Sequence, residues 1–143
     1  MANLNLTITE DICLNGSQRG SVTTSTILDI DEFSSRIVTA TVSAQNILTT
    51  GTTIGAGQYI KTDLRYIRVT NLDPTNFIRV GLKDTSGDTA YLKVGAKETL
   101  FLYNDDIEAF TDGSTFSAFS EWDTLSIAAD TASCDVQVVV ASA

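Results

Sequence analysis

The chain has no histidine, one proline (Pro74), two cysteines (Cys13 and Cys134) and one tryptophan (Trp122) in 143 residues. Without histidine the commonest general base is missing, and with it every Ser-His-Asp or Cys-His arrangement. Two cysteines and no histidine also exclude a structural zinc site, which needs four such ligands. Basic residues are scarce: 9 Lys and Arg face 18 Asp and Glu, a net charge of −9. That balance argues against nucleic acid as a partner, because phosphate contacts need clustered cations. No apolar run approaches the roughly 20 residues that cross a bilayer as a helix, so no membrane partner is expected. The opening MANLNLTITED has neither a basic region nor an apolar core, so no signal peptide is expected. The glycines of TTGTTIGAGQ (49–58) lack the lysine and the strand–helix setting of a phosphate loop. The expectation is a protein that is not an enzyme and holds no cofactor.

What the chain does have is period-two alternation. From Leu64 to Asn104 it reads LRYIRVTN-LDPTN-FIRVGLKD-TSGDT-AYLKV-GAK-ETLFLYN, four strand-like segments between short turn clusters. Thr, Ser, Val and Ile are abundant, a bias toward strands. The length suits one domain with its own core. Eight or more short strands without a long helix predict an all-β fold, an antiparallel β-sandwich of jelly-roll or immunoglobulin-like topology spanning 1–143. Extended arms are expected at 1–10 and 49–58.

Coarser features place the remaining strands. Residues 3–14 read as a strand that breaks near Glu10 and Asp11, followed by an Asn15-Gly16 turn. A polar loop is expected over 15–25, then strands at 26–30 and 36–43 with Asp31–Ser35 between them. Segments 123–129 and 133–141 close the fold. Parity sets Cys13 opposite Leu4, Leu6, Ile8, Ile12 and Leu14, whereas Cys134 shares a face with Val136, Val138 and Val140. One thiol points out and the other in, so no disulfide is expected.

The turn at Asp84–Asp88 registers Leu82 opposite Ala90, Val80 opposite Leu92 and Ile78 opposite Val94. One face is then apolar; the other carries Phe77, Arg79, Lys83, Tyr91 and Lys93. Tyr91 covers the bare backbone of Gly81, and Arg79 lies unfavourably opposite Lys93. Phe101 and Tyr103 on the next strand also point outward. Residues 61–97 hold seven basic side chains against four acidic ones, a +3 sector in an acidic chain, which suits self-association or docking on an acidic protein. The contact residues expected are Arg65, Arg68, Phe77, Arg79, Tyr91, Lys93, Phe101 and Tyr103.

Two further clusters are weaker. Asp105, Asp106, Glu108 and Asp112 offer hard oxygen ligands for calcium, but their spacing matches no calcium loop and a solvated acidic turn is the plainer reading. Phe116, Phe119 and Trp122 recur every third residue; they either plug one end of a sandwich or, with Phe110, form a platform for a sugar ring.

Three stretches carry a resemblance: RYIRVTNLDPTNFIRVGL (65–82), AYLKVGAKETLFLYN (90–104) and ADTASCDVQVVVA (129–141). They resemble small virion structural proteins of tailed bacteriophages, in which a strand ending in an Asn-Leu-Asp turn leads to an Asn-aromatic strand. A later strand there follows a Gly-x-Lys/Glu turn, and a Cys-Asp-Val strand closes the domain. The resemblance spans the C-terminal half well and the first 60 residues loosely. It implies a β-sandwich displayed on a virion and made in the host cytoplasm. The favoured role is a capsid decoration (cement) protein, a homotrimer seated on the major capsid protein. A tail, neck or fibre component is the alternative within the same particle, and a carbohydrate-binding module the alternative outside it.

Overall fold

The computed structural model describes residues 2–53, 58–87, 89–104 and 122–143. The strands are β1 (Ala2–Glu10), β2 (Cys13–Leu14), β3 (Ser17–Gln18), β4 (Ser21–Ile30), β5 (Glu32–Ala40), β6 (Gln45–Gly51) and β7 (Gln58–Ile60). After a short 3-10 turn at Lys61–Asp63 come β8 (Leu64–Asn71), β9 (Ile78–Asp84), β10 (Thr89–Val94), β11 (Thr99–Tyr103), β12 (Trp122–Ala129) and β13 (Cys134–Ser142). Among the described residues there is no α-helix, and no helix long and apolar enough to cross a membrane.

Two sheets stack as a sandwich. One has five strands in the order β10-β9-β12-β6-β7, the other four in the order β11-β8-β13-β5. The pairings β5 with β13, β6 with β12, β8 with β11 and β9 with β10 are those of one long antiparallel ribbon folded over on itself. Cross-pairs β8–β13 and β9–β12 then close the sheets. That winding is the jelly roll, and it decides between the two topologies the strand pattern leaves open.

The core between the sheets is aliphatic: Leu64, Ile67, Val69, Ile78, Val80, Leu125, Ile127, Val136, Val138 and Val140 are at most 2% exposed. Strand β13 does not alternate, because both its faces are covered. Val136, Val138 and Val140 point inward, whereas Val139 and Ala141 lie under a second cluster made by Leu4, Leu6, Ile27, Ile30 and Tyr66. A strand buried on two sides reads as a continuous apolar run. The second cluster comes from β1 and β4, which pair over their length as a ribbon laid across the four-stranded sheet.

Several expectations are corrected here. Within the expected arm at 1–10, Ala2–Glu10 form β1, paired with β4. The stretch 15–25 is not a loop: after the Asn15-Gly16 turn, both residues at positive φ (51° and 77°), β3 and then β4 begin. Segment 31–35 breaks only at Asp31. Part of 49–58 belongs to β6 and β7, a parallel pair. For β3, β4 and the start of β5 the reason is that Ser- and Thr-rich strands exposed on one or both faces show no apolar alternation, although β-branched Thr pairs well across strands.

Candidate docking surfaces

The hairpin β9–β10 takes the register its turn length implies, with Leu82 opposite Ala90, Val80 opposite Leu92 and Arg79 opposite Lys93. Ile78, Val80 and Val94 reach the core, but Leu92 is 41% exposed because β10 is an edge strand. On the outer side the like charges are separated by rings. The Arg79 guanidinium lies 5.9 Å from the Tyr91 centroid, and Lys93 Nζ lies 4.1 Å from the Phe77 centroid. Two cation–π contacts, each about 0.5–1 kcal/mol at exposed sites, offset the expected repulsion. Among the described residues, Arg79, Lys83 and Lys93 make no ion pair.

Arg68, Phe101 and Tyr103 lie elsewhere. Strand β8 pairs with β11, placing Phe101 opposite Arg68 and Tyr103 opposite Tyr66 on the outer face of the four-stranded sheet. The eight expected contact residues therefore do not form one surface. Phe77, Arg79, Tyr91 and Lys93 are on one side of the sandwich, and Arg68, Phe101 and Tyr103 on the other. Arg65 joins neither: it sits beside the bulge at the start of β8, its guanidinium donating to the Thr62 carbonyl. Parity assigns a side chain to a face of its own strand; it carries no information on which layer that strand enters.

The corner between β8 and β9 makes this separation. Asn71 is fully buried, and its amide donates to the carbonyls of Asn76 (2.8 Å) and Gly95 (2.9 Å). Its oxygen accepts from Asp73 N at 3.1 Å. The Asp73 carboxylate in turn accepts from the backbone N–H groups of Asn76 (2.6 Å) and Thr75 (2.8 Å). Those N–H donors hold its pKa below the ordinary carboxylate value. Thus the Asn-Leu-Asp sequence satisfies the backbone of a chain that turns from one sheet into the other.

Two residues that the alternation did not single out complete the four-stranded outer face. Phe33 and Ile37 on β5 lie opposite Ala141 and Gln137 and are 61% and 65% exposed. Phe33 falls within the segment read as a break, so only the extension of β5 to Glu32 brings it onto the sheet. The ribbon covers the Tyr66–Ala141 end of this face and leaves the Arg68 end open. There Arg68 is half-buried: one Nη donates to Gln137 Oε1 at 3.0 Å, while Nε is buried with no partner.

Other candidates fall away from these faces. Trp122 is 2% exposed within β12 and belongs to the core, so it offers no ring to a sugar. Phe110, Phe116, Phe119 and the acidic stretch Asp105–Asp112 lie outside the described residues. Among the described residues no group of three His, Cys, Asp or Glu is placed to hold a metal ion. Cys13 is exposed and Cys134 buried, both free, as parity implies.

No family model and no curated protein matches the chain. A solved chain of Bacillus endospore appendages, which "form a novel family of disulfide-linked pili", is similar at 12% identity and a TM-score of 0.47. The likeness covers 78% of this chain and 85% of that one. At that degree of likeness nothing about function transfers.

Proposed function

We propose that this protein is a non-enzymatic structural component that works by docking a face of its sandwich on a larger assembly. The observation that carries the reading is the open end of the four-stranded outer face. Exposed Phe101 lies directly across from half-buried Arg68 there, Ile37 is exposed on the edge strand two strands away, and among the described strand residues Asp135 is the one carboxylate on that sheet face. Aromatic residues and arginine in a field depleted of other charge are the composition of an interface centre. An apolar patch of this kind on a monomer marks a binding surface.

The particle, on the resemblance of 65–82, 90–104 and 129–141, is a tailed-phage virion. In that setting the chain is a capsid decoration protein on the major capsid protein, with a homotrimer as its working form. Shells prepared without it are expected to bind the purified chain and to gain resistance to heat and pressure. Phe101→Asp and Ile37→Asp are expected to abolish that binding while leaving the fold intact. If the shells neither bind the chain nor differ in resistance, the decoration role fails. Copy number per particle separates the tail or neck alternative, which needs a few to dozens rather than hundreds.

A further inference from the structure

Among the described residues, the distal half of the β1–β4 ribbon covers no other part of the chain. Residues 9–24 are exposed throughout, and an unsupported two-stranded ribbon is marginal in water. Yet its tip holds Ile12, Leu14 and Val22 at 56%, 55% and 67% exposure. Beside them are the carboxylates of Glu10 and Asp11, accepting from Ser21 Oγ and Gln18 Nε2. Arg19 is the one basic residue between Ala2 and Asp31. The tip is therefore apolar and acidic.

The outer face of the five-stranded sheet has the complementary character. Phe77 and Tyr91 supply ring surface, Tyr91 being 56% exposed, and Arg79 and Lys93 hold their charges over those rings with no acidic partner among the described residues. We propose that the ribbon tip of one copy seats on this face of a second copy. Glu10 and Asp11 meet Arg79 and Lys93, and Ile12 and Leu14 lie along Phe77 and Tyr91. Charge complementarity sets the orientation, and the apolar side chains supply the buried area. Because each copy carries both tip and face, the contact is either exchanged between two copies or passes from copy to copy into a ring or a chain. It uses the sheet opposite the docking patch, so it stands independently of the decoration role.

Sedimentation of the full chain over a concentration series, at about 50 mM and about 500 mM salt, tests this through screening. Association that weakens with salt is expected. Two variants, E10K/D11K and R79E/K93E, change only exposed side chains, and circular dichroism checks that both are folded. Each alone is expected to associate about 100-fold more weakly than the parent, since like charges now face one another. Mixed in equal amounts they are expected to associate again, because reversed tip meets reversed face and native tip meets native face. A parent chain that remains monomeric overturns the proposal. So does association that persists in either variant, or a mixture that stays apart. Shell binding without self-association counts against this contact alone, and self-association without shell binding against the decoration role alone.

Discussion

Tyr91 lies directly across from Gly81, with its ring against the bare backbone: a β-carbon built on Gly81 would sit 3.0 Å from Tyr91 Cε1. The same β-carbon would meet Ser126 Oγ, on the neighbouring strand β12, at 2.6 Å. The glycine is there for space, since an aromatic ring covers it and a third strand crowds it from the other side. Gly81→Ala is therefore expected to destabilise by about 1–3 kcal/mol, as overpacking does. Adding Ser126→Ala should recover part of the loss, because the shorter contact is to that hydroxyl. Urea midpoints of the single and double variants measure both.

Asn71 is the residue whose loss should cost the fold most per atom removed. Asn71→Ala deletes two donated bonds and one accepted bond at the corner between sheets, and leaves the Asn76 and Gly95 carbonyls short of partners. A loss of about 2–4 kcal/mol is expected from the unsatisfied groups. A change below about 0.5 kcal/mol, within the range of ordinary surface substitutions, would show that water replaces the side chain.

Acid should weaken the same corner. The backbone N–H donors of Asn76 and then Thr75 lower the Asp73 pKa below the ordinary aspartate value. A depressed folded-state value means the contribution is present above the unfolded pKa and is lost as pH falls through the folded one. Asp73→Asn should flatten the stability–pH curve below about pH 4, the region where an unperturbed Asp takes up its proton, and leave the slope near neutrality unchanged. Thermal midpoints across that range test the sign.

Arg68 separates docking from stability. Its Nε is buried without a partner, so Arg68→Met removes an unsatisfied donor while keeping a long apolar stem. Stability is expected to stay level or rise by up to about 1 kcal/mol, whereas binding to the assembly falls at least about 10-fold, as for an interface hot spot. A loss of stability above about 2 kcal/mol would make Arg68 a structural residue instead.

The two thiols should react at different rates. Burial, then the nearby charges of Asp73, Asp130 and Asp135, raises the Cys134 pKa above the ordinary thiol value, and the thiolate is the reactive form. Native protein is expected to titrate one fast thiol, Cys13, with Cys134 appearing only on unfolding. Since the folded-state value is raised, stability should fall as pH rises above about 9, where an unfolded thiol ionises. Two fast thiols in the native chain would contradict the burial of Cys134.

Much of this was legible locally. The five-residue turn and the alternation around it are enough for the full register of β9 and β10, including Tyr91 over Gly81. Parity alone puts Cys134 inside; Cys13 is outside as expected, but so are Ile12 and Leu14 of the opposite parity, because the whole ribbon tip is exposed. Leu100 and Leu102 turn inward, and Phe101 and Tyr103 outward, as their order implies. The misses have one origin, strands whose side chains pack on little. Thr23, Thr24 and Thr26 on β4 face solvent, so nothing in their order distinguishes a strand from a loop. Phe33 reads as part of a turn because its neighbours are Glu32 and Ser34, yet it closes the edge of an exposed sheet.

The stretch from Leu64 to Asn104 shows where the division falls. By itself the order of residues determined which side chains of each strand share a face, because the side-chain period in a strand is two and a polar–apolar pattern follows from it. Only the tertiary structure decided that β8 and β11 enter one sheet and β9 and β10 the other, so that one basic-aromatic pattern becomes two surfaces on opposite sides. The layer a strand joins depends on pairing with distant segments, here β13 for β8 and β12 for β9, and no local periodicity encodes a partner roughly forty to eighty residues away.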